Sequence, residues 1–143
     1  MHEMALAEGI LAVVLDAAGN ERVRRIQIDA GRLQAIVPES LQFSFQLLAE
    51  GSSASEANLE LKEIPLRMSC KNCGDEREYD FPPPFCSRCT GTEFNLVSGD
   101  ELKVNSLELE NGTVLSRPSE SVQEALREQL REHVKHDHLR EDQ

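Results

Sequence analysis

Four cysteines are the residues whose type and spacing most clearly point to chemistry. Cys70-Lys71-Asn72-Cys73 and Cys86-Ser87-Arg88-Cys89 are two CxxC knuckles separated by residues 74 to 85, a gap of 12. Each knuckle turns two sulfurs toward one point. Four thiolates at about 2.3 Å then close a tetrahedron around zinc and leave no position for water. Such a site is structural rather than catalytic. Gly74 suits the tight turn after the first pair, and Pro82-Pro83-Pro84 stiffens the approach to the second. Rubredoxin-like iron uses the same four ligands, but Thr90 stands where a glycine would follow the second pair, which favours zinc. Disulfides are the other alternative, and they do not suit the reducing compartment expected below.

The amino terminus is the second place. With a histidine at position 2 the initiator methionine is expected to remain, so the Met1 amino group sits beside the His2 imidazole. The amine, the His2 backbone nitrogen and the His2 ring form fused chelate rings of the kind that suits Ni(II) or Cu(II). Glu3 offers an oxygen ligand or a hydrogen-bond acceptor. Protonation of an imidazole, whose unperturbed pKa is about 6.5, is expected to release the metal on acidification. The remaining histidines, His133, His136 and His138, stand near the other end. His133 and His136 share a helix face as an auxiliary nickel site, although such a tract more often forms a solvated helix end.

These residues need a scaffold, and the patterning supplies one. Met4, Ala7, Ile10, Leu11 and Val14 recur with helical spacing over 3–16, with Gly19-Asn20 as the stop. Residues 24–30 alternate as a half-buried strand ending at Gly31. Pro38 and Glu39 open a second helix, whose face is Leu41, Phe45 and Leu48 and whose end is Gly51. After a Ser-rich loop, Leu59 and Leu61 lie on one face of a strand, and Ile64 and Leu66 on the other. Leu102 and Val104 against Leu107 and Leu109 repeat that slip. The shared irregularity predicts bulged strands that pair as antiparallel neighbours, with Leu66 near Leu102.

The fold class expected is therefore α+β: a three-stranded sheet with two helices, an inserted zinc-ribbon lobe with two CxxC knuckles, and a C-terminal helical tail. Residues 1–66 and 100–112 form the discontinuous α/β lobe, 67–99 the zinc lobe and 113–143 the extension. In that extension Val122, Leu126, Leu130 and Val134 make a narrow stripe after the polar Asn111-Gly112 and Pro118. It is expected to dock weakly or be partly disordered.

Composition excludes several classes. The chain has 143 residues, a net charge of -11 and no Trp. Acidic balance opposes a phosphate backbone. Residues 67–98 hold four basic and five acidic side chains, without a basic stripe for a nucleic-acid-binding ribbon. The run from Ile10 to Leu15 is too short to cross a membrane, and Met1-His2-Glu3 lacks the basic start of a secretory signal, so a cytoplasmic protein is expected. No Walker loop, His-Glu-x-x-His or Gly-x-Ser-x-Gly motif occurs, which argues against an enzyme.

Several segments together resemble the HypA/HybF family. They are Met1-His2-Glu3-Met4, Pro38-Glu39-Ser40-Leu41 through Phe45 to Leu47-Leu48-Ala49-Glu50-Gly51, the two CxxC pairs, and Ser98-Gly99-Asp100-Glu101-Leu102 to Glu108-Leu109-Glu110. The resemblance spans roughly residues 1 to 110. It implies a nickel-insertion accessory protein for nickel-iron hydrogenase, sometimes also for urease, working with a HypB-type GTPase and the hydrogenase large subunit. The family's nickel ligand falls on His2, with Glu3 beside it, and its zinc ligands fall on Cys70, Cys73, Cys86 and Cys89. Nickel is then cargo and zinc structural, in a monomer or homodimer. The chain departs from the pattern in a short loop at Gly19-Asn20, in Thr90, and in everything from Asn111 onward.

Overall fold

A computed structural model describes residues 2–128. Met1, the His2 imidazole and residues 129–143, with Leu130, Val134, His133, His136 and His138 among them, lie outside the description. The first helix, α1, runs from His2 to Ala18, and its end is set by Gly19, whose φ of 61° lets its N–H return to the Leu15 carbonyl at 3.0 Å. Its buried face is wider than the stripe expected. Leu6 and Val13 join Ala7, Ile10 and Val14 because α1 packs against both α2 (Pro38–Ala49) and the sheet. Helix α2 opens on Pro38, which needs no N–H partner in the first turn, and buries Leu41 and Phe45 completely.

The larger sheet is built around β1 (Val23–Gly31). It pairs in parallel with β2 (Asn58–Ile64) and antiparallel with β6 (Leu102–Leu109), and β7 (Val114–Ser116) adds to the far side of β6. Two strand expectations are corrected here. β2 and β6 are not neighbours, since β1 lies between them. The slips that suggested pairing also have different causes. In β6 the slip is a bulge: Gln27 pairs with Ser106 and Ile28 with Val104, leaving Asn105 as the extra residue. After β2 it is a change of sheet. Ile64 ends β2, Pro65 lacks an N–H to continue a ladder, and Leu66 opens β3 (Leu66–Cys70) in a second sheet.

The fourth strand, β7, was not expected. Asn111-Gly112 makes a hairpin turn in which Gly112, at φ 91°, donates to the Leu109 carbonyl, and Leu109 donates to the Thr113 carbonyl at 2.9 Å. The second sheet holds β3 between β4 (Glu76–Tyr79) and β5 (Phe94–Ser98), both antiparallel to it.

After β7 the chain turns through Arg117 and Ser119 and forms a helix over residues 120–128. The part of the stripe within the described residues is present, with Val122 half-buried and Leu126 buried, and there the docking is firmer than the stripe alone implies. Gln123 is buried: its amide oxygen accepts from Val104 N–H at 2.9 Å, and its nitrogen donates to the Val104 and Pro118 carbonyls. A side chain thus replaces the strand that β6 lacks beyond the end of β7. Arg117 N–H completes the arrangement by donating to the carbonyl of the bulge residue Asn105 at 2.9 Å. Among the described residues no helix is long and apolar enough to cross a membrane.

Candidate metal centre

The second sheet exists to present the cysteines. β3 ends on Cys70, Cys73 lies in the turn to β4, and Cys86 and Cys89 lie in the segment between β4 and β5. The two knuckles repeat one hydrogen-bond pattern. In the first, Gly74 N–H donates to the Cys70 carbonyl at 2.9 Å and Cys70 N–H to the Asp75 carbonyl at 2.9 Å. In the second, Thr90 N–H donates to the Cys86 carbonyl at 2.8 Å and Cys86 N–H to the Gly91 carbonyl at 2.7 Å. Thr90 therefore occupies the position of Gly74, and both take positive φ, 64° and 77°.

For a β-branched residue that conformation is strained, by about 1–2 kcal/mol relative to glycine. Thr90→Gly is accordingly expected to stabilise the metal-loaded protein by about 1 kcal/mol, read as a rise in the guanidinium midpoint. An unchanged or lower midpoint would mean that the hydroxyl's bond to the Cys89 carbonyl outweighs the strain.

The four sulfurs all lie within 4.8 Å of one another, with Cys70 to Cys89 at 3.5 Å and Cys73 to Cys86 at 3.7 Å. Ligands at about 2.3 Å on the corners of a tetrahedron stand about 3.8 Å apart, close to the two shorter separations, so the free thiols are gathered at the scale of a zinc site. Donors surround them. Arg88 N–H reaches Cys86 Sγ, and Gly91 N–H and Asn72 Nδ2 reach Cys89 Sγ, each at 3.4 Å. The Asn72 amide and the Gly91 N–H pull the Cys89 thiol down to about 6. Cys73 is pushed up to about 11: the Asp75 N–H acts against the rise, and loss of water around the sulfur among the other three thiols outweighs it.

Spacing revealed the four sulfurs but not what fixes them. Asp75 in the first knuckle accepts from Arg77 at 2.7 Å, and Arg77 donates onward to Ser87 Oγ in the second at 3.2 Å. Asn72 also went unremarked, although an amide between two ligand cysteines is a visible donor. Where the two sheets meet, Arg32 pairs with Glu63 at 3.0 Å and binds the Asp80 carbonyl, linking β2 to the end of β4. His2 opens α1, which packs on α2 and β6, and among the described residues the cysteine cluster takes no ligand from α1. Glu3, half-buried in the first turn of α1, follows His2 directly.

Fold and site define a small α+β protein with a four-cysteine cluster that could hold a metal ion. The profile of the HypA family, hydrogenase/urease nickel incorporation metallochaperones, matches residues 1–109. The chain is 36% identical over 110 residues to the hydrogenase maturation factor HypA of Nostoc sp., covering 77% of this chain and 96% of that one. It is 32% identical to that of Rhodobacter capsulatus, covering 76% and 99%. The solution structure of the Ni metallochaperone HypA from Helicobacter pylori shares the fold, with a TM-score of 0.56 at 20% identity over 76% of this chain and 97% of that chain. This chain belongs to the HypA family.

Proposed function

We propose that the protein is a nickel metallochaperone that binds Ni(II) at its amino terminus and helps deliver it during maturation of nickel-iron hydrogenase. The observation that carries this reading is the separation of two metal-binding chemistries. Four converging thiols occupy the second sheet, while His2 begins a helix packed on the first. A site saturated by four sulfurs holds its ion; a site of few nitrogen donors at a chain end can release one.

In this reading Cys70, Cys73, Cys86 and Cys89 hold structural zinc. His2 is the main nickel ligand, with the Met1 amino group and Glu3 beside it. Residues 1–66 and 100–112 act as the nickel-binding lobe, 67–99 as the zinc-ribbon lobe, and 113–143 as an extension. The protein works in the cytoplasm as a monomer or homodimer, without catalysis of its own. Its partners are a HypB-type GTPase and the hydrogenase large subunit.

The test is metal analysis and nickel titration on tag-free protein. We expect one zinc per chain in both wild type and His2→Ala, and a nickel affinity lowered roughly 100-fold or more in the variant. Unchanged nickel binding in His2→Ala would remove the amino-terminal site. Iron in place of zinc, with a coloured redox-active protein, would turn the reading toward electron transfer.

A further inference from the structure

The two sides of the larger sheet end differently. On one side β7 covers part of β6, and Gln123 takes both backbone groups of Val104 beyond it. On the other, β2 is outermost, and among the described residues no strand lies beyond it. Only its start is closed. There the Gln42 amide oxygen accepts from Leu59 N–H at 2.8 Å, and its nitrogen donates to the Ala57 carbonyl at 3.4 Å. Backbone groups alternate between the two sides of a strand, so those of Leu61 and Glu63 point the same way as those of Leu59, away from β1. The Leu59 carbonyl, both groups of Leu61 and the Glu63 N–H are therefore a template for a further strand.

The side chains of β2 decide which strand fits. Leu59, buried, and Leu61, half-buried, take one face, and Glu60 and Lys62 take the other. Two copies of β2 related by a two-fold axis run antiparallel, and the position of the axis sets every pair. An axis at Leu59 would displace Gln42, and one at Glu63 would set Leu61 against Pro65, which has no N–H to give. At Glu60 or at Lys62 the axis places like charges directly opposite each other, which is unfavourable. At Leu61 it places Glu60 opposite Lys62 twice. These are the non-hydrogen-bonded positions, where Cα atoms stand about 4.5 Å apart and side chains are closest. In that register Leu61 N–H donates to the Leu61 carbonyl of the second copy and Glu63 N–H to its Leu59 carbonyl, in both directions. Gln42 keeps its bond to Leu59 N–H.

We propose that the β2 edge is the interface of a homodimer, in which a second copy of this chain pairs antiparallel about a two-fold axis at Leu61 and joins the two larger sheets into one. The charge order Glu60-Leu61-Lys62 makes the edge complementary to itself in this register alone. The pairing does not depend on the nickel reading above.

The experiment is sedimentation of full-length, zinc-loaded, tag-free protein without nickel, over a range of concentrations. Wild type should form a dimer as concentration rises. Lys62→Glu and, separately, Glu60→Lys should each associate about tenfold or more weakly, with zinc content and circular dichroism unchanged. Mixing the two variants should restore the dimer, since one chain then carries two positive side chains at the edge and the other two negative. In wild type, exchange of the Leu61 and Glu63 amides, followed by NMR, should slow as the dimer forms. A chain that stays monomeric at every concentration overturns the proposal. So does a dimer that Lys62→Glu leaves intact, and so do two variants that fail to associate on mixing. Slow exchange of Leu61 already in the dilute monomer overturns it too, because another segment of the same chain would then cover the edge.

Discussion

Removal of the metal is expected to unfold residues 66–98 while the sheet of β2, β1, β6 and β7 stays folded. Within that segment only Leu66, Cys70 and Cys86 are buried, and two of those three belong to the cysteine cluster. The larger apolar side chains face outward, with Phe81 73% and Val97 50% exposed. A three-stranded sheet with so little apolar burial cannot offset the entropy of ordering its backbone. The metal must supply the difference, and structural zinc sites of this type contribute about 10–16 kcal/mol. Hydrogen exchange after chelation should show lost protection in β3, β4 and β5 and retained protection in β1 and β6. Cys86→Ser should reproduce the pattern. Protection surviving in β3 would mean that the lobe has a source of stability other than the thiolate cluster.

Gly31→Ala is expected to cost about 4 kcal/mol or more, the largest effect among the glycine-to-alanine substitutions. The backbone conformation of Gly31, φ -67° and ψ 147°, suits alanine, so conformational strain is not the cause. Space is. The added Cβ would stand 2.1 Å from the carbonyl oxygen of Gly99 and 2.2 Å from its carbon, and backbone cannot step aside as a flexible side chain would. That carbonyl already accepts from Leu33 N–H at 2.8 Å, and Gly31 N–H is held by Glu101 at 2.7 Å. Gly19→Ala provides the contrast. Its φ is 61° but its Cβ would meet nothing within 4 Å, so only about 1 kcal/mol is expected. Denaturant midpoints with the metal bound should separate the two by several-fold in stability loss. Equal losses would show that the crossing at Gly31 and Gly99 yields more readily than its geometry implies.

What could be read from the sequence followed from strong local signals. The helical stripe from Met4 to Val14, the alternation around Ile26 and Ile28, and the Pro38 start of α2 each rest on patterns a few residues long, and each element forms where its pattern lies. The CxxC pairs, whose geometry is local too, converge. Pairing partners were another matter. Leu59 to Leu66 and Leu102 to Leu109 show the same phase slip, but one arises from a bulge and the other from passage between sheets at Pro65. Periodicity cannot tell these apart, because both invert which side chains face inward. β7 was missed although Asn111-Gly112 is a strong hairpin signal, since the strand after it is only three residues long. The burial of Gln123 had no signal at all: a glutamine replacing a ladder partner is recognisable only once Val104 is known to lack one.

The neck between the two sheets also bears on the order in which the molecule assembles. The chain leaves the first sheet at Pro65 and returns at Gly99, and the two passages touch: Ser98 Oγ donates to the Pro65 carbonyl at 2.8 Å, and a Cβ on Gly99 would stand 2.8 Å from Leu66 Cα. For β6 to find β1, a chain lacking its metal must close the whole interval between the strands. Once the knuckles have gathered around their ion, residues 65 and 99 are already side by side, and the remaining closure is a short one whose entropy cost is correspondingly smaller. With the knuckles so filled, the second sheet would act as a clasp on a long loop, and an ion held there would shorten the search by which the larger sheet is completed.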